Sequence, residues 1–225
     1  MKASQPKKQR SWLYKNSLSV FFISIFLFTL LAQAVTGWHE HNSELSDLGG
    51  NEIAFSTYIC SGHFISATFE NFESEFLQMT LYVLLTIQLR QIGSAESKKI
   101  DESEEVDREP VPHKDSPWPV KKGGWVLWLY SHSLSIVFAL LFFASWVLHL
   151  YGSWQSNNVE LQLKGKPAES LANYVTEANF WFETFQNWQS EFLSVASIVI
   201  LSIFLREKGS PESKPVDAPH LETGK

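Results

Sequence analysis

Hydrophobic positions gather into long apolar runs separated by very polar segments. Ser17 to Gly37 (SLSVFFISIFLFTLLAQAVTG) carries no charge and has the length of about 20 residues that a helix needs to cross a bilayer. The run from Phe76 to Leu89 is shorter, rising only about 21 Å at 1.5 Å per residue. The aromatic turns before it, with Phe69, Phe72 and Phe76 at helical spacing, must complete that crossing, with Glu75 near the lower edge. Trp125 and Trp128 lead into a third run reaching about Tyr151, and Phe185, Trp188 and Phe192 lead into a fourth that ends at Leu205-Arg206. The spacing predicts helices over about 12–37, 64–92, 124–151 and 180–208. Gly93 and Gly209 are expected as C-caps, just past an arginine suited to a helix's negative end.

The same pattern is written twice. WLYKNSLS at 12–19 matches WLYSHSLS at 128–135, and NFESEFL at 71–77 matches NWQSEFL at 187–193. Sliding the chain by 116 residues aligns the halves without a gap from Trp12 to Lys98, with roughly a third of positions identical, as expected of a duplicated unit. The sequence therefore divides into a first membrane hairpin at 1–98, an acidic, proline-bearing linker at 99–120, a second hairpin at 121–214 and a tail at 215–225 expected to be disordered. Gly49-Gly50 and Gly165-Lys166-Pro167 mark turns in the polar segments between hairpin arms. The basic head, apolar core and Ala32-Gln33-Ala34 also fit a cleavable signal peptide; recurrence of the segment inside the chain favours a retained helix.

Charge sets the orientation. The net charge is −6, which excludes a general nucleic-acid binder. Of 18 lysines and arginines only Lys164 and Lys166 fall between hairpin arms, so the positive-inside rule puts both termini and the linker in the cytoplasm. Two-helix repeats keep their direction, giving parallel repeats about an axis along the membrane normal. The expected fold is thus an all-α integral membrane protein, a four-helix bundle of two tandem hairpin repeats in a parallel pseudo-twofold arrangement. The single Cys60 excludes an intrachain disulfide.

The phrases NWQSEFL, LR-x-x-GS-x-ESK and WLY-x-x-SLS resemble a family of uncharacterised bacterial membrane proteins grouped as a domain of unknown function. The resemblance covers nearly the whole chain and implies a bacterial cytoplasmic membrane location. It carries no activity, substrate or catalytic residue.

Among residues shared by the halves, Thr68, Asn71 and Glu75 lie on one helix face, and Thr184, Asn187 and Glu191 repeat that face. Parallel symmetry would bring the two glutamates together near the outer boundary, to hold a cation or to fix helix depth by bonding the loops. A second polar seam pairs Thr29 with Ser145, Gln33 with His149 and Thr86 with Ser202. His149 is the histidine placed well inside a helix; opposite Gln33, it offers no symmetric bis-histidine haem site. His39, His41 and His63, with Glu40 and Glu44, are read as scattered surface residues rather than a metal site. The ESK phrases read as capping turns at the membrane surface. No nucleophile elbow, phosphate loop or metalloprotease motif is present, and no cofactor is expected.

The sequence favours a non-catalytic assembly or envelope-associated membrane protein, whose partners are the lipid bilayer and a protein partner or second copy; the alternative is a small cation, proton or solute transporter or channel using Glu75 and Glu191. Reporter fusions after Lys98 or at the C-terminus should behave as cytoplasmic, and one inserted at Gly49-Gly50 as external. A cytoplasmic signal from the last would overturn the four-span topology.

Overall fold

The structure, a computed structural model, describes residues 10–224. The basic head at 1–9 and Lys225 lie outside the described residues. All regular structure within them is helical. Four long helices dominate: α1 (Ser17–Asp47), α2 (Gly62–Gln88), α3 (Ser133–Leu163) and α4 (Ala178–Phe204). Moving the bounds of α1 and α2 by 116 residues gives those of α3 and α4, and the short turns Phe55–Tyr58 and Leu171–Tyr174 obey the same offset.

Three of the four, α1, α3 and α4, are long and apolar enough to cross a membrane. At 27 residues, α2 is as long as α4, but Glu70, Glu73, Glu75 and Gln78 interrupt its apolar run. Most large apolar side chains of α1, such as Phe21, Phe22, Leu27 and Phe28, are exposed, as a lipid-facing surface requires.

The helices differ from their expected bounds at both ends. Helices α1 and α3 continue well beyond 37 and 151, because the polar turns that follow have partners. Trp38 Nε1 and Asn42 Nδ2 donate to the Ile53 carbonyl at 2.7 and 3.0 Å, while Ile53 N donates to Asn42 Oδ1 at 2.8 Å. Trp154, Asn158 and Glu169 repeat this bracket at 2.7, 3.1 and 2.6 Å. Gly49 and Gly165 then stop the helices at positive φ, 77° and 69°, and the next residue bonds back to Leu45 and Leu161 respectively.

At the other end the expected C-caps are corrected. Helices α2 and α4 stop at Gln88 and Phe204, and Leu89 and Leu205 are extended. The capping falls to Arg90 and Arg206, whose Nη1 groups each donate to three carbonyls of the last turn at 2.8–3.3 Å. Gly93 and Gly209 lie in the turn beyond. There Gln91 N and Glu207 N donate to Ser97 and Ser213, both at 2.9 Å.

The tail is also more ordered than its composition suggests. Lys214 is 2% exposed, and its ammonium donates to the carbonyls of Gly93, His220 and Glu222 at 2.5–2.8 Å. Gly93 N donates to Thr223 Oγ1 at 2.9 Å, and Gly224 N to the Ser94 carbonyl at 3.0 Å. A buried cation surrounded by carbonyls fixes residues 215–224 against the first ESK turn.

The tightest helix packing joins the halves rather than the arms of one hairpin: α2 lies against α3. Gly62 and Ser66 on α2 face Gly152 and Ser156 on α3, small residues four apart on each helix. A Cβ on Gly62 would come within 2.6 Å of the Gly152 carbonyl, and one on Gly152 within 2.6 Å of Ser66 N. Hairpin arms instead meet through large rings, Phe26 on Phe72 at 5.8 Å and Phe142 on Trp188 at 6.2 Å, which hold the backbones apart. Gly62→Leu should therefore cost at least about 1–3 kcal/mol in thermal unfolding in detergent, whereas Ala144→Leu on the exposed face of α3 should be neutral.

Candidate functional site

Close crossing of α2 and α3 dictates what lies one and two turns deeper. Gly62, Ser66, Glu70 and Glu73 share one face of α2, and Ser145, His149, Gly152 and Ser156 one face of α3. Both His149 and Glu73 are 0% exposed. Glu73 Oε2 approaches His149 Nδ1 at 3.2 Å. On the other side of the ring, Nε2 faces Glu183 Oε2 of α4 at 3.6 Å and Glu70 Oε2 at 3.9 Å. Neither ring nitrogen, and neither oxygen of Glu73, makes a well-aligned hydrogen bond. Phe180, fully buried, packs its ring 5.0 Å from the imidazole.

Glu183 is held in place from outside. Ser153 donates to its Oε2 at 3.0 Å and Asn179 to its Oε1 at 2.8 Å. Ser153 Oγ also lies 2.5 Å from the Tyr174 hydroxyl. Burial pushes the Tyr174 phenol up, and that of Tyr58 up to about 12, so both hydroxyls keep their protons. Between the loop ends of α2, α3 and α4, a cavity of about 260 Å³ reaches Glu70 and Glu183 past His63, Ser66 and Ser153. It gives the centre a polar approach from the inter-arm loops.

The residues chosen from the sequence are placed as follows. Thr68 and Thr184 are buried, and their hydroxyls make no hydrogen bond. Asn71 and Asn187 donate within their own helices, to the Ala67 and Glu183 carbonyls. Glu75 is exposed and Glu191 half-buried; Gln78, one turn from Glu75, donates to the Glu191 carbonyl and Ser194 Oγ at 3.1 and 3.0 Å. Gln33 donates to the Ala67 carbonyl at 3.1 Å. Of the polar seam, Ser202 joins the first ESK turn through Ser94 Oγ at 3.2 Å and Ala95 N at 3.1 Å, while Thr29 and Thr86 bond their own helices. The loop histidines are less scattered than expected. His41 and His63 stack at 4.5 Å beside Glu44 and Glu40, and His39 stays apart on Trp38.

Glu70, Glu73 and Glu183 were not singled out by sequence reasoning, because it weighed positions the halves share. The signal lay in positions where they differ. The 116-residue offset sets His149 against Gln33, Glu70 against Gln186, Glu73 against Gln189 and Glu183 against Ala67. One half carries ionisable groups where the other carries neutral side chains, mostly amides.

The sequence pattern of a family described as a domain of unknown function (DUF6766) matches residues 9–225, and the chain belongs to that family. No curated protein and no solved structure matches it.

These neutral counterparts make a stability experiment specific. Removing His149 alone strands three carboxylates and should cost about 3–5 kcal/mol, whereas removing buried charges together is often near neutral. The triple variant Glu70→Gln, Glu73→Gln, His149→Gln, built from residues the other half already uses, should therefore unfold at a higher temperature than His149→Gln. The reverse order would show that the cluster is not an electrostatic unit.

Proposed function

We propose that this is a four-span integral membrane protein of two hairpin repeats, with both termini in the cytoplasm, and that it handles a cation or proton at the centre around His149. In this reading α2 is the fourth span. Its Glu70 and Glu73 face His149 of α3 and its Gln78 bonds α4, so its composition need not resemble that of a lipid-exposed helix. The observation that carries the reading is the convergence of Glu73, Glu70 and Glu183 on an imidazole with no exposure to solvent. Ionisable groups wholly buried between helices are costly, and in membrane proteins they are candidates for ion or proton paths by default.

A polar approach leads to the centre from the loop end, where the cavity reaches Glu70 and Glu183. Towards the other end, a second cavity of about 220 Å³ between α2 and α4 is lined mostly by apolar side chains such as Leu81, Leu85, Phe192 and Val199, with Gln78, Tyr82 and Arg90 beside them. Glu75 and Glu191 sit between these cavities as accessory groups, so the transport reading moves from that pair to the His149 centre. The alternative, a purely structural assembly protein, would have no need of ionisable groups in only one of two equivalent positions.

The full chain reconstituted in vesicles containing a pH-sensitive dye, under a potassium diffusion potential, tests the proposal. Proton or cation flux above that of empty vesicles is expected, falling at least tenfold in the triple glutamine variant and less in Glu191→Gln. A folded wild-type protein without flux, or a triple variant as active as wild type, would return the assembly reading.

A further inference from the structure

We propose that Glu70, His149 and Glu183 form a binding site for a divalent transition-metal ion, with Glu73 holding the imidazole from behind. The inference rests on the ion-handling reading above and names the ion class. Three ligand atoms, His149 Nε2 and one carboxylate oxygen from each of Glu70 and Glu183, lie within 4.8 Å of one another. Ligands bound at about 2.0–2.2 Å stand roughly 3–4.3 Å apart around one ion. The separations of 3.6 and 3.9 Å from Nε2 already fall in that range, and the two carboxylate oxygens lie within 4.8 Å of each other.

A cluster of acids alone would not carry this. What points to a ligand is the histidine, which is wholly buried, makes no hydrogen bond through Nε2, and aims that nitrogen between the two carboxylates. The opposite nitrogen faces Glu73 at 3.2 Å. Metal-bound histidines almost always present their second nitrogen to a carboxylate or carbonyl, which fixes the tautomer and makes the coordinating nitrogen a better donor. Glu73 supplies that partner, and Ser153 and Asn179 do the same for Glu183.

Donor chemistry selects the ion. Two carboxylates and one imidazole, without a thiolate or thioether, suit Mn²⁺, Fe²⁺ or Zn²⁺ better than Cu⁺. The two carboxylates neutralise a dication, and the adjoining cavity of about 260 Å³ has room for water on the remaining positions. A proton and a metal ion are alternatives on Nε2, so loading displaces whatever proton sits there. The cluster His41, Glu44 and His63 is the competing place; its Glu44 side chain is 54% exposed, and the Glu40 carboxylate facing His63 at 3.6 Å is 60% exposed, whereas Glu73 is wholly buried.

Mn²⁺ titrated into the metal-free, detergent-purified full chain and followed by electron paramagnetic resonance tests the site. One bound equivalent is expected, with affinity reduced at least tenfold in Glu183→Gln and in the triple glutamine variant, reduced 10–100-fold in Glu73→Gln, and unchanged in His41→Asn, a member of the competing cluster outside the cavity. Pulsed spectroscopy of wild-type protein should show one coupled imidazole nitrogen, a readout independent of how any variant folds. Absence of binding, absence of a coupled nitrogen, or loss of binding in His41→Asn but not in the triple variant would overturn the metal site. Proton flux in vesicles without Mn²⁺ binding would overturn this inference alone, whereas a bound Mn²⁺ without flux would overturn the transport reading and leave the site.

Discussion

The approach of α2 to α3 at Gly62 and Gly152 is the constraint on which the rest depends. A Cβ at either position would enter the other helix's backbone space, so the two axes come together only because small residues line both faces. Once they do, the next two turns of each helix must also face each other, and in this chain those turns carry Glu70, Glu73 and His149. Glu73 and His149 are enclosed between the two helices, with Phe180 of α4 against the imidazole. The same contact accounts for the mixed composition of α2. A helix that packs on two neighbours can hold Glu70 and Glu73 against them without losing its place.

Much of the architecture was legible because it is local. Apolar runs, positive-φ glycines at 49 and 165, and the recurrence of Trp38 and Asn42 as Trp154 and Asn158 are properties of short segments, and the helix bounds repeat at the offset the sequence shows. Tertiary bonds were not legible. Helices α1 and α3 continue through polar sequence because a loop carbonyl is returned to them by Trp and Asn side chains. The arginines, rather than the glycines, satisfy the last carbonyls of α2 and α4, since an extended leucine lets the guanidinium fold back. The tail reads as disordered by composition, but one buried lysine finds its carbonyl partners there.

The halves of the chain divide the labour. Residues they share are chiefly those that build the hairpin: the Trp–Asn brackets, the buried tyrosines Tyr58 and Tyr174, and the capping arginines. Asn71 and Asn187 belong to the same class, since each bonds a carbonyl four residues back. Ranking candidates by recurrence therefore selects the scaffold.

Chemistry sits in the differences. The first half keeps Gly37 where the second has Ser153. A Cβ at 37 would lie 2.3 Å from the Tyr58 hydroxyl, which bonds His63 instead, at 3.2 Å. In the second half the serine is present, meets Tyr174 and passes its hydrogen bond on to Glu183. One methylene and hydroxyl thus link the loop tyrosine to the buried centre in one half and are excluded from the other. Gln33 lies where His149 would be, and it bonds a backbone carbonyl at Ala67, the position equivalent to Glu183. An amide satisfied by the backbone stabilises a helix contact and needs no counter-charge. An imidazole among three carboxylates, hydrogen-bonded by none of them, is not satisfied that way, and the proposed ion site rests on that difference.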